Sequence, residues 1–379
     1  MNFLTYLVCF FSTFFLSLCL TYCVKKISRK LNILDDRQSS PGRKLHDEPT
    51  PLLGGLAIFI SFFIILFIVF LLGLLEQPFL SSRILLGILL AGFLLMLGGF
   101  LDDRYKLKPI QSIVLPVLAA LVVIVAGVSI EKINHPFDAF HLLRTSPFGA
   151  QFIYLNHPAI NIGLPFGYNF IFSPWSAAII FIWLMIMMYS TKLLDGLDGL
   201  VGGLTGFGSL ILASFCLFSV FYQPSVALIG LILAGASFGF LFFNRHPAKI
   251  FLGEGGSLFC GFMLGLLAII AGGKLALAFM IVGLAVIDLF WTIFRRICLE
   301  HRSPFSADRG HLHFRLISLL GYKQTVYLYW LISILLGTAM FFLRTKGKII
   351  AIASFLIIVL ICLFRLENNS STRNDHSAA

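Results

Sequence analysis

Two aspartates three residues apart, each followed directly by glycine, lie in residues 191–203, TKLLDGLDGLVGG. The stretch falls where one hydrophobic run ends and another begins, so its carboxylates sit at a membrane face. On a helix, Asp195 and Asp198 would share a side, within reach of one ion. Gly196 and Gly199 would leave backbone open to a ligand. The plain alternative is a helix start whose acids meet the positive end of a dipole. That role needs one Asp and gains nothing from four glycines.

Four further stretches carry polar residues of chemical interest. Residues 98–109 end a hydrophobic run with Asp102 and Asp103, followed by Arg104, Lys106 and Lys108. Adjacent carboxylates there are costly unless a cation shares them. Magnesium takes hard oxygen ligands, typically one or two carboxylates plus substrate phosphates. Lys106 and Lys108 could neutralise phosphate oxygens. Residues 43–55 hold Arg43, Lys44, His46, Asp47 and Glu48, then Pro49 and Pro51, which fix an extended turn before Gly54 and Gly55. Residues 243–257 set Glu254 among glycines, with Asn244 and Lys249 upstream, and backbone NH groups in such a loop can cradle phosphate. Residues 295–315 bring together Arg295, Arg296, Arg309, His311, His313 and Arg315. His311 and His313 would point apart on a helix, whereas an extended loop could aim both at one anion. The flanking arginines favour a sugar-phosphate or diphosphate. Zinc would need further ligands. Each of these stretches, taken alone, also reads as a solvated charged loop or a turn. Asp288, inside an apolar run, reads equally as a functional group or as a packing anchor for a loop arginine.

Membrane helices must position these groups. Of 379 residues, 59% are hydrophobic and 12% charged, with mean hydropathy +0.96. That balance excludes a soluble domain and predicts an all-α polytopic membrane protein. A crossing needs roughly 20 apolar residues. Eleven runs qualify: 2–24, 53–75, 84–101, 110–130, 174–190, 201–221, 225–243, 256–272, 275–294, 324–343 and 348–365. The weakest are 84–101, which is short, and 256–272, which glycine interrupts. With the N-terminus outside, 21 of the 28 lysines and arginines fall on inner connections or the tail. The C-terminus is then cytoplasmic. Fourteen of the 17 acids also lie at or near that face. Positive-inside sorting does not explain this, since acids contribute little to it. A cytoplasmic site handling metal and phosphate does.

The formal charge of +11 points to anionic lipid headgroups and an anionic substrate; basic residues scattered over short loops argue against nucleic acid. Seven cysteines lack metal-ligand spacing and read as free thiols. The first 24 residues lack a basic leader and read as an uncleaved span. One membrane domain covers 1–365. It includes an outer connection at 131–173, read as a hairpin lying on the membrane, and an inner His-x-His loop at 294–323. Residues 366–379 read as a disordered cytoplasmic tail.

In this order, the five stretches resemble the polyprenyl-phosphate N-acetylhexosamine-1-phosphate transferases, over about residues 43–316. HDEPTP at 46–51 and His-Leu-His at 311–313 are similar to the bacterial branch making GlcNAc-1-phosphate lipid carriers for O-antigen, common antigen or teichoic acid. The muramoyl-pentapeptide branch usually carries three consecutive histidines. The resemblance implies transfer of GlcNAc-1-phosphate from a UDP-N-acetylhexosamine to undecaprenyl phosphate, with release of UMP, at the inner membrane of a bacterium. It implies magnesium, or manganese in its place, and a homodimer. It maps Asp102, Asp103 and Asp195 onto the acidic core, with Asp198 and Glu254 as further metal ligands. Asp47 matches the acid proposed to take the lipid phosphate's proton, and Asn244 a nucleotide-contacting asparagine. Lys106, Lys192, Lys249, Arg309, His311 and His313 fall on substrate-binding positions.

Two residues depart from the family pattern. Lys192 stands where Asn is usual, and Glu254 where Asp is usual. The two changes compensate if Lys192 and Glu254 approach each other or the same diphosphate. Leu52 also replaces a residue that many relatives have basic or polar. The competing readings are a secondary transporter of an anionic solute and a non-catalytic scaffold. Against the transporter, the acids gather at one face and no inverted repeat is visible.

Overall fold

A computed structural model of the chain describes residues 2–35, 49–75, 81–134, 152–164, 168–218, 222–303 and 310–377. Three helices open it: α1 (Phe3–Lys30), α2 (Gly54–Leu71) and α3 (Ser82–Tyr105). Two shorter ones follow, α4 (Pro109–Ser112) and α5 (Val114–Val125). The central set is α6 (Pro174–Leu194), α7 (Leu200–Phe218), α8 (Pro224–Asn244), α9 (Gly253–Ile270) and α10 (Leu275–Phe294), the last running into a π-helical turn at Arg295–Leu299. The chain finishes with α11 (Leu312–Leu320), α12 (Tyr322–Phe342) and α13 (Thr345–Ser377). Among the described residues, ten helices are long and apolar enough to cross a membrane.

The remaining run, 110–130, departs from expectation. It forms a shorter apolar segment, Pro109–Val125, broken at Ile113. Pro116 is the cause: it has no N–H to donate to Ser112, and its ring crowds that carbonyl. A second difference lies at the C-terminus. Helical backbone in α13 extends to Ser377, across the tail whose composition predicts disorder. Extending a helix already nucleated costs little per residue, which carries the backbone past the apolar run.

Short antiparallel ribbons join the helices. In the connection between α5 and α6, β3 (Lys132–Asn134) pairs with β4 (Phe152–Tyr154), and β5 (Ile160–Leu164) with β6 (Tyr168–Phe172). At the opposite end, β1 (Leu34–Asp35) pairs with β2 (Thr50–Pro51). Pro51 then accepts from Phe251 N–H at 2.8 Å, and Gly54 and Gly55 donate to Phe251 and Leu252 carbonyls at 2.9 and 2.8 Å. The start of α2 is thereby docked on the loop before α9.

The glycine-interrupted run is the centre of the bundle. Helix α9 packs against α2, α3, α6, α7 and α10, and nearly all of it is buried. Its glycines are the reason. A Cβ on Gly99 of α3 would overlap the Gly255 backbone, and one on Gly55 of α2 would overlap Gly256. At Gly261 it would meet Thr191 and the Met187 carbonyl of α6. Small residues let backbones touch where lipid supplies no hydrophobic drive between helices. Thr191 Oγ1 donates to the Ser257 carbonyl at 2.8 Å, and Trp183 Nε1 to that of Gly265 at 3.1 Å. Such interhelical bonds are each worth about 0.6 kcal/mol. Large apolar side chains on the outer faces of α1, α2, α3, α12 and α13 remain exposed, as a lipid-facing surface requires.

Candidate active site

One end of the bundle gathers four of the five polar stretches and the close of the fifth. Helix α3 delivers Asp102 and Asp103 in its last turn, α6 delivers Lys192, and α9 delivers Glu254 in its first turn. Lys192 Nζ lies 2.8 Å from Glu254 Oε2 and 3.5 Å from Asp102 Oδ2. The approach of Lys192 to Glu254, expected from their joint departure from pattern, is present. Asp102 Oδ1 accepts from Leu107 N–H at 3.0 Å, which holds the chain where Lys106 turns it with a φ of 51°. Asp103 accepts from Glu254 N–H at 3.3–3.4 Å, and the charges of Glu254, Asp102 and Asp195 all act on it. Asp102, Asp103 and Glu254 therefore lie at one place, and the charge of Asp195 reaches Asp103.

Asp195 and Asp198 do not share a helix. α6 stops at Leu194 and α7 starts at Leu200, with Gly199 at a φ of 77° in the turn between. The glycines that suggested an open backbone instead break the helix. Asp195 stays with the acidic group. Enclosure by protein, then the charges of Glu254 and Asp198, hold its carboxyl well above the ordinary carboxylate range. Asp198 is buried and engaged elsewhere. Its Oδ2 accepts from Ala248 N–H at 3.0 Å and lies 2.8 Å from His246 Nδ1. Its own N–H meets Tyr322 Oη at 2.6 Å, and the His246 and Tyr322 rings lie 4.3 Å apart. Asp198 thus ties these elements together, and its charge reaches Asp195. No motif signal marks Tyr322, and His246 lies within residues 243–257 with no role expected of it.

Asn244 is likewise a scaffold residue here. Its Oδ1 accepts from Gly199 N–H at 3.0 Å and its Nδ2 donates to the Ile250 carbonyl at 2.9 Å, so both ends of the amide hold backbone. Lys249 and Lys106 are exposed. Lys249 stands with Arg245, His246 and Lys323 on an open groove of ≈ 880 Å³. Phe10, Phe14, Phe238 and Trp330, from α1, α8 and α12, line the groove's apolar part.

The two histidines meet one anion, but it belongs to the protein. Asp288 accepts from Leu312 N–H at 2.9 Å; His311 Nδ1 lies 3.2 Å away and His313 Nδ1 3.8 Å. Asp288 therefore anchors the His-x-His turn, and among the described residues no arginine is shown against it. The rings stack 5.5 Å apart, and a Cβ on Gly196 would come within 2.9 Å of His313 Nε2, so His313 covers the 195–199 turn. Burial pushes His313 down to about 4; Asp288 opposes this and His311 adds to it. The folded state then binds fewer protons than the unfolded one between about pH 4 and 6.5, so stability falls as pH drops through that window. The loss is on the order of 3 kcal/mol. Melting of the detergent-solubilised protein between pH 7 and 4 is expected to show that slope, and His313→Gln to flatten it.

Asp47 and Arg309 lie outside the described residues. Thr50 and Pro51, just after Asp47, lie beside the Phe251 loop.

The family model described as glycosyl transferase family 4 matches residues 85–272. The chain is 27% identical to a probable undecaprenyl-phosphate N-acetylglucosaminyl 1-phosphate transferase of Bacillus subtilis, over 92% of this chain and 87% of that protein. It is 28% identical to decaprenyl-phosphate N-acetylglucosaminephosphotransferase of Mycolicibacterium smegmatis, over 85% and 80%. It is 30% identical to phospho-N-acetylmuramoyl-pentapeptide-transferase of Prochlorococcus marinus, over 85% and 86%.

Proposed function

Because the chain belongs to glycosyl transferase family 4, the polyprenyl-phosphate N-acetylhexosamine-1-phosphate transferases, we propose that it moves a hexosamine-1-phosphate from a UDP-sugar to undecaprenyl phosphate. GlcNAc-1-phosphate is the favoured group, in line with the names of two relatives. The product initiates a lipid-linked surface glycan. The observation that carries this reading is that Lys192 of α6 joins Asp102 of α3 to Glu254 of α9, with Asp103 held on the Glu254 N–H and the charge of Asp195 acting on Asp103.

The donor set fits a hard divalent cation in type and charge. Among the described residues no three His, Cys, Asp or Glu side chains are already grouped to hold one. Asp102, Asp103, Asp195 and Glu254 would hold magnesium, or manganese, which when bound neutralises the diphosphate and steadies departing UMP. The protein's own part is positioning. The acids are fixed by helix crossings, Lys192 offers a cation to phosphate oxygens, and Lys106 stands exposed at the rim. Asp47 would take the proton of the lipid phosphate. The aromatic groove beside Lys249 and Lys323 offers an apolar path for the prenyl tail, with cations for its phosphate. The distribution of basic residues supports a bacterial cytoplasmic membrane with the N-terminus outside and this site facing the cytoplasm.

The test is UMP release by purified protein with undecaprenyl phosphate, magnesium and a panel of UDP-sugars. Release that requires the lipid and favours UDP-GlcNAc is expected. Uptake of an anionic solute by proteoliposomes with no UMP formed would overturn the reading. In the same assay Asp288→Ala is expected to lower turnover roughly 10- to 100-fold by letting the His311–Leu312 turn shift. Asp288→Asn keeps an acceptor for Leu312 N–H and should lose less.

A further inference from the structure

Lys192 occupies a position that its surroundings would otherwise assign to an ion. Its ammonium joins α3 to α9 through Asp102 Oδ2 and Glu254 Oε2. Its side chain is 20% exposed, against 15% for that of Asp102 and 34% for that of Glu254. Asp102 and Glu254 flank the ammonium and both act on Asp103, and like charges so placed repel unless a cation shares them. The oxygens that Lys192 holds are the ones a divalent ion would need in order to bridge the same two helices. An oxygen directed at an ammonium is not simultaneously free to ligate a metal. The lysine stem is long and flexible, and an incoming diphosphate offers it a strong alternative acceptor.

We propose that Lys192 is a built-in counter-cation, which bridges Asp102 and Glu254 while the metal is absent and transfers to the nucleotide diphosphate when the metal enters. Ion binding and nucleotide binding are thereby coupled: each relieves a cost of the other, and the coupling is reciprocal. The enzyme takes up its metal poorly alone and well with nucleotide. This rests on the reading of the site as one that binds a UDP-sugar.

The experiment measures Mn²⁺ affinity of the full-length protein in detergent by electron paramagnetic resonance, with and without UDP, correcting for Mn²⁺ held by free UDP. Lys192→Gln removes the ammonium. It is expected to bind Mn²⁺ without nucleotide about tenfold tighter than wild type, within the usual range for coupled sites. UDP should tighten Mn²⁺ binding in wild type and much less in the variant. Lys192→Arg keeps the charge and should retain most of the coupling; it also serves if the Gln variant fails to fold, because loss of coupling in a folded Arg variant would contradict the proposal. Equal or weaker Mn²⁺ binding by folded Lys192→Gln overturns it. So does an undiminished effect of UDP in that variant. Failure of UDP to bind either protein, with the nucleotide-free difference intact, would instead overturn the proposed substrate and leave the lysine bridge standing.

Discussion

Asp195→Asn is expected to lower UMP release by about a hundredfold to a thousandfold, the usual cost of removing one preorganised electrostatic group. The loss should appear in turnover more than in the apparent affinity for UDP-sugar. Melting should separate this from misfolding. Burial, and after it the charges of Glu254 and Asp198, hold the Asp195 carboxyl above the ordinary range. Replacing that carboxyl by a neutral amide relieves repulsion in the metal-free protein, so its melting temperature should stay level or rise. A scaffold protein would give unchanged function with the same melting behaviour. A fall in activity matched by a fall in melting temperature would show that Asp195 is structural.

The second large effect is expected at a residue with no side chain of its own. At Gly99→Ala the new methyl would enter the Gly255 backbone, and neither chain can rotate away as a side chain can. The α3–α9 crossing must open. Overpacking of this kind costs about 1–3 kcal/mol. Opening it also separates Asp102 and Asp103 from Glu254 and Lys192. A displacement of about 1 Å can cost a hundredfold in rate, so activity should fall much further than stability. Gly202→Ala is the contrast: its methyl would meet the Phe240 ring at 3.3 Å, a neighbour that can tilt. Activity within severalfold of wild type is expected there. Melting curves and UMP release on both variants check the pair.

The spanning helices were legible because continuous apolar runs leave the backbone one way to satisfy itself in lipid. The exception, 110–130, depends on a single proline whose effect hydropathy does not register. The role of α9 was hidden for a related reason. Its glycines lower helix propensity and interrupt the hydrophobic run, so they read as weakness. Their value appears only when the backbones of α2, α3 and α6 are seen against them. Residue type and place pick out Asp102, Asp103, Asp195 and Glu254 as acids at one face, and the structure puts them at one end of the bundle. Lys192 and Glu254 could be paired because both break one pattern. The backbone and side-chain partners of Asp198, Asn244 and His313 were not legible, since sequence position does not say what a polar side chain holds. Their partners, Ala248, Gly199, Ile250 and Asp288, are fixed by tertiary packing alone.

The crossing at Gly99 has a mechanical consequence. Asp103 lies one helical turn beyond it, about 6 Å along the axis. With so short a lever, a tilt of α3 by about ten degrees swings its acidic tip by only about 1 Å, whereas the same tilt about a pivot at mid-bilayer would roughly double the excursion. Fixing the pivot close to the acidic tips shields their spacing from changes in bilayer thickness, and leaves the outer ends of the helices to absorb them.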